Sequence, residues 1–215
     1  MTNATVASVD SKTPAVPPQS GPADPPGRVD IERVTALTRE LLVALGEDPD
    51  REGLVDTPRR VASWWQSILS PDPAAPATCF PEPTLSGQLV VVGDMSVWTL
   101  CEHHMLPMRL QVAAGYLPDG EVVGLSKFGR IAQRLAAQLQ VQERFTQHFA
   151  EELASVIGSK DVAVAVRGVH LCMSMRGVRM ETARTTTVES GGRFLTDPVL
   201  AAQFIASASA QWGVK

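Results

Sequence analysis

The chain is poor in the residues that mark whole classes of protein. Only three of its 215 residues are cysteines, Cys79, Cys101 and Cys172. An odd, sparse set does not build a disulfide framework and fits a reducing cytoplasm, where thiols stay free to bind metal. No run of 18 apolar residues occurs, so no membrane span is expected. The first residues, MTNATVASVDSKTP, lack a basic region followed by an apolar one, so no secretory signal is expected. Basic charge is not in excess: the net charge is −4 and the isoelectric point about 5.6, unlike a nucleic-acid-binding domain. An anionic substrate therefore needs a local basic patch. Neither glycine-rich nucleotide-binding pattern is present, and no internal repeat suggests a solenoid or propeller. Histidine is scarce too, with four in the chain.

What is present suffices for one folded unit and a tail. Hydrophobic residues make up 44% and charged residues 20%. Residues 1–28 contain six prolines, no aromatic residue and four charges. That composition buries too little apolar surface to offset chain entropy and is expected to be disordered. Residues 29–70 form an N-terminal helical region. Ile31, Val34, Leu37, Leu41, Leu42 and Leu45 recur at helical spacing up to Gly46. Asp56-Thr57-Pro58 then starts a second helix running to about Leu69. Residues 71–86 are proline-rich and read as a linker.

From 87 to 215 the pattern is that of an α+β domain. Strands are expected at Leu89–Val92, Ser96–Leu100 and Arg109–Leu117. Pro118-Asp119-Gly120 makes a turn, from which Glu121–Leu125 returns as a hairpin partner. Helices follow over Phe128–Ala137 and Gln142–Ile157, the latter stopped by Gly158. Val162–Met175 alternates as one strand, and Asp197-Pro198 opens a C-terminal helix. Antiparallel strands with segregated helices define the class.

Three of the four histidines lie beside cysteines, in Cys101-Glu102-His103-His104 and His170-Leu171-Cys172. The C-x2-H spacing suits a tight metal loop, and residues 170 and 172 on a strand share one face. Cys101, His103, His104, His170 and Cys172 are thus five candidates around one metal. A structural zinc site is closed by four ligands, often in paired C-x2-C units. Three ligands with an open position, and spare histidines for proton transfer, describe a catalytic one. Cys79 reads as a small core residue. A basic group accompanies the clusters. Ser126, Lys127 and Arg130 sit where a strand gives way to a helix, a setting that favours phosphate. Arg176, Arg179 and Arg184 follow the second cluster, while Arg134 and Arg144 read as solvated helix faces. Glu143 is accounted for by its place in a first helical turn.

Several of these segments together resemble the GTP cyclohydrolase I family: Cys101–His104, Gly124–Lys127, Gln140–Arg144 and His170–Arg179. Glu52–Leu54 with Asp56–Ala62, Thr185–Thr187 and Gly192–Phe194 extend the likeness over roughly residues 30–205. The resemblance implies a tunnelling fold, an antiparallel sheet with paired helices that closes into a barrel only by oligomerisation. It implies a homodecamer of two stacked pentamers that converts GTP and water to 7,8-dihydroneopterin triphosphate and formate. It further implies Zn2+ on Cys101, His104 and Cys172, with His103 and His170 transferring protons during hydrolytic opening of the guanine at C8. Ser126 and Lys127 would serve the ribose rearrangement and phosphate binding, and Arg130 and Arg176 would hold the triphosphate. Gln142 and Glu143 would read the guanine edge, and Arg60 would belong to a neighbouring subunit's site.

Overall fold

The computed structural model describes residues 29–70 and 79–212, with backbone alone for 83–86. The tail at 1–28 and the first half of the linker, 71–78, lie outside the described residues. Helix α1 spans Ile31–Ala44, capped by the Asp30 carboxylate accepting from the Arg33 amide at 2.9 Å. Helix α2, Thr57–Leu69, carries Pro58 in its first turn and packs on α1. Asp56 does not cap it through its side chain; the carboxylate instead accepts from Arg60 at 3.2 Å.

The rest is built on a five-stranded sheet. Its strands are β2 (Val90–Cys101), β3 (Pro107–Tyr116), β5 (Leu139–Gln140), β6 (Val162–His170) and β7 (Thr185–Ser190), in the order β5-β2-β3-β6-β7. All pairs are antiparallel except the short β2–β5 pair. The two expected strands at 89–100 are one strand, β2, broken only by a register shift between Val92 and Met95. Two expectations fail here. Strand β1, Cys79–Ser86, occupies part of the stretch read as linker. Strand β4, Asp119–Val123, pairs with β1 in a separate two-stranded sheet rather than returning along β3. A local turn signal reports that the chain reverses, not which strand it meets.

Side-chain size divides the two faces of the main sheet. On β6, Val162, Val164 and Val166 face one core, and Ala163 and Ala165 face the other. The valine face is covered by α3 (Leu125–Ala136) and α4 (Gln142–Ile157), which contribute Phe128, Ile131, Leu135, Phe145, Phe149 and Leu153. The alanine face is covered by α6 (Arg193–Thr196) and α7 (Pro198–Gln211), through Phe194, Leu200, Phe204 and Ala208. Helices therefore lie on both faces, not one. Small residues let α7 approach closely: a Cβ on Gly115 would lie 2.8 Å from the Phe204 ring. Helix α4 ends at Gly158, whose φ of 65° is cheap only for glycine.

The C-terminus of α3 is tied to the sheet by buried polar groups. The Thr99 hydroxyl donates to the carbonyl of Ala136 at 2.7 Å, and Gln140 Nε2 donates to that of Leu135 at 2.6 Å. Carbonyls orphaned at a helix end are satisfied in this way without a glycine cap. The clamp lies beside Cys101, which pairs with Gln140 across β2–β5.

Candidate functional site

The first cluster occupies the loop joining β2 to β3. Cys101 closes it, donating from its amide to Leu106 O at 2.9 Å and accepting from the Met105 amide at 2.8 Å. Met105 takes φ 54°, the left-handed turn that lets a short loop reverse between twisted strands. The Glu102 amide donates to Gln140 O at 3.1 Å, so the loop is anchored on β5 as well.

The second cluster differs from expectation. Strand β6 stops at His170, and Leu171–Ser174 form a short helix, α5, so His170 and Cys172 are not two positions on one strand face. The helical turn swings Cys172 over the hairpin loop. Residues two apart point alike on a strand but diverge on a helix. The consequence is convergence: the ligand atoms of Cys101, His104 and Cys172 all lie within 4.8 Å of one another. Two sulfurs and an imidazole nitrogen suit zinc, and the spread is close to what one ion with bonds of about 2.0–2.3 Å spans. Burial, then the neighbouring Cys101 sulfur, push the Cys172 thiol up, with Arg176 opposing. Two thiolates this close call for a cation between them. The Arg176 guanidinium donates to His104 Nε2 at 2.5 Å, setting a fixed positive charge against the cluster.

The spare histidines flank it. His103 Nδ1 is 3.6 Å from Cys101 Sγ. His170 is half-buried; desolvation lowers its pKa, and the Glu143 carboxylate works in the opposite direction. Glu143 is exposed in the first turn of α4. Gln142, its neighbour, is not placed to read a substrate edge with its side chain. It is 1% exposed, and its carboxamide is engaged by Val166, Thr185, Thr187 and His170. Both ends of the amide are thus engaged within the chain, and burial withdraws the rest of it from a ligand.

The two arginines read as solvated are both paired. Arg144 donates to Glu102 in the β2–β3 loop, and Arg134 of α3 pairs with Glu152 of α4. Ser126 and Lys127 lie in the first turn of α3, with Arg130 one turn on. Arg60 projects from α2, paired with Asp56. The structure thus gathers Cys101, His103, His104, Gln142, Glu143, His170, Cys172 and Arg176 around one end of the sheet, while Arg60 stands on the separate helical pair. Sequence reasoning passed over Glu102, Thr146, Gly168 and Thr187. The one available signal was spacing: Thr146 follows Gln142 by one helical turn.

Fold and cluster together define an α+β protein whose hairpin loop and short helix assemble a site able to hold a metal ion. The profile of GTP cyclohydrolase I matches residues 34–209. GTP cyclohydrolase 1 of Deinococcus radiodurans is 41% identical over 174 residues, covering 80% of this chain and 81% of that one. The Hyperthermus butylicus protein of the same name is 43% identical over 173 residues, covering 80% and 88%. That of Mycobacterium leprae is 44% identical over 174 residues, covering 78% and 84%. The chain belongs to the GTP cyclohydrolase I family.

Proposed function

We propose that this chain converts GTP and water to 7,8-dihydroneopterin triphosphate and formate in the cytoplasm, the step that opens pterin and tetrahydrofolate synthesis, with Zn2+ held by Cys101, His104 and Cys172. The observation that carries this is the convergence of those three ligands from two separate segments, with His103 and His170 left over beside them. A zinc ion held there supplies Lewis acidity for hydrolysis at C8 of the guanine. A closed structural site would use four ligands and leave the spare histidines without a role.

The remaining work falls to the chain's own groups. His103 and His170 carry protons to and from the opening ring. Glu143, exposed at the start of α4, accepts from N1–H and the 2-amino group of guanine in a two-pronged, charge-assisted pair. Arg176 holds phosphate oxygens once it leaves His104, and Arg130 does so from α3. Ser126 and Lys127 serve the ribose rearrangement and the phosphates from the first turn of that helix, whose exposed amides favour anions. Arg60 completes a neighbouring subunit's site.

The fold is a tunnelling fold, and the working assembly is a homodecamer of two pentamers. The sheet of one chain is open, bounded by the two-residue β5 on one side and by β7 on the other. Open edges invite pairing with further copies. A fully active monomer in light scattering overturns the assembly. The activity is tested by incubating purified, zinc-loaded protein with GTP. A product that fluoresces as a pterin after oxidation, together with released formate, is expected. Intact GTP in the presence of one bound zinc per chain overturns the proposal.

A further inference from the structure

The hydrogen bonds around Gln142 admit only one arrangement of protons. Thr146 Oγ1 lies 2.8 Å from the main-chain oxygen of Gln142, which can only accept, so Thr146 spends its single hydrogen there. Thr146 Oγ1 also lies 2.6 Å from Thr187 Oγ1, and that contact must then be donated by Thr187. With its own hydrogen used, Thr187 can only accept across its 3.1 Å contact with the Gln142 side chain. The carbonyls of Val166 and Thr185, at 3.0 and 3.2 Å, face the same atom. Three acceptors around one end of the carboxamide identify that end as Nε2. The other end is Oε1, an acceptor, and it lies 2.8 Å from His170 Nε2. The histidine must donate in that bond, so its Nε2 carries a hydrogen.

The position of this bond is built into the backbone. It lies across the Cα of Gly168, where a Cβ would come within 2.0 Å of Gln142 Oε1 and 2.9 Å of His170 Nε2. Any side chain at 168 displaces the bond.

We infer that Gln142 is a positioning residue for His170, whose carboxamide holds the proton on Nε2 and leaves Nδ1 as the nitrogen open to chemistry. A histidine that moves protons must present a defined nitrogen, because the two tautomers aim donor and acceptor at different points. The relay from Thr146 through Thr187 and Gln142 sets that choice from two buried groups, Thr146 and Gln142, and the half-buried Thr187. The inference rests on the proposed proton-transfer role of His170. It moves Gln142 from the guanine edge to the support of the histidine.

The test is nitrogen NMR on zinc-loaded protein labelled with 15N-histidine, at a pH above the imidazole range. Four histidines make the spectrum assignable, with His170→Ala identifying the signal. His170 is expected as the Nε2–H tautomer. Gln142→Met, similar in volume, is expected to abolish the single-tautomer pattern. It should retain zinc and lower kcat by about 10- to 100-fold, with KM for GTP changed far less. An Nδ1–H tautomer in the unaltered protein, or an unchanged His170 spectrum in Gln142→Met, overturns the inference. A changed spectrum with unaltered kcat overturns instead the proton-transfer role on which it rests.

A second pair of variants guards against misfolding of Gln142→Met. Thr187→Val keeps the volume and loses the hydroxyl; Thr187→Ser does the reverse. Retention of the Nε2–H signal and higher turnover in the serine variant supports the relay. The opposite order means that packing, not hydrogen bonding, matters at 187 and overturns it.

Discussion

Arg144, in the first turn of α4, donates to the carboxylate of Glu102, which lies between Cys101 and His103 in the β2–β3 loop. The pair joins the element that carries Glu143 and Gln142 to the loop that carries two of the three proposed zinc ligands. Both side chains are partly exposed, at 30% and 38% for Arg144 and Glu102. Partial exposure keeps the energy small, about 0.5–1 kcal/mol, so its value lies in alignment.

A double-mutant cycle checks that alignment. Arg144→Met and Glu102→Gln are each expected to weaken zinc binding by about two- to fivefold. The double variant should be no worse than either single one. Chelator competition gives the affinities; strictly additive losses mean the two residues act apart.

Ligands and proton carriers separate by metal content. Cys172→Ser is expected to lose both zinc and activity. His103→Ala and His170→Ala are expected to keep one zinc per chain and lose turnover by about 100-fold or more, the usual size for a positioned proton donor. Elemental analysis beside kcat decides. A zinc-replete Cys172→Ser refutes the ligand set, and zinc loss in either alanine variant makes that histidine a ligand.

Base choice tests Glu143. Inosine triphosphate keeps N1–H but lacks the 2-amino group, so the native protein should prefer GTP in kcat/KM. Glu143→Gln should weaken GTP use and shrink the ratio between the two nucleotides, because the variant lacks the carboxylate proposed to accept from both donors. Zinc content should not change. An unaltered ratio assigns the amino group to another partner.

The alanine face of the sheet is tested at Gly115. A methyl group there meets the Phe204 ring at 2.8 Å and Val90 O at 3.4 Å. Gly115→Ala is expected to cost about 1–3 kcal/mol, as overpacking does, and to lower Tm by several degrees. Adding Phe204→Leu should recover part of the loss. An unchanged Tm in the single variant would mean that α7 shifts freely over the sheet.

Legibility followed the range of the interactions. Helix α4 begins at Gln142 and ends before Gly158, as its apolar spacing and glycine stop indicate, because both signals are local. Strand β6 is equally plain at its start, yet its end is not. Leu171–Ser174 keep an alternating look while folding into a helical turn, and only the meeting with the β2–β3 loop distinguishes the two. The partner of β4 was illegible for a related reason. Its mate β1 lies about forty residues upstream, in a proline-rich stretch that local patterning assigns to a linker. Strand β7 is polar and half-exposed, Thr185-Thr186-Thr187 among it, so no apolar alternation marks it. The two sulfur–imidazole segments were visible as candidates. That Gln142 supports a histidine was not, since its side-chain partners come from β6 and β7, two strands distant in sequence from the start of α4.

The hydrogen bonds linking Gln142 O, Thr146, Thr187 and Gln142 Nε2 run head to tail, closing through the glutamine's own covalent frame into a homodromic circle. A circle of hydroxyls alone could run in either sense and would flicker between them. Here one member is a peptide oxygen that cannot donate, so the sense is locked. Tolerance to change at 146 and 187 is therefore a matter of handedness of donation rather than of polarity: serine preserves the circulation at both places. Asparagine or glutamine, though as polar, can present either end and so returns to the circle the ambiguity that the threonines remove.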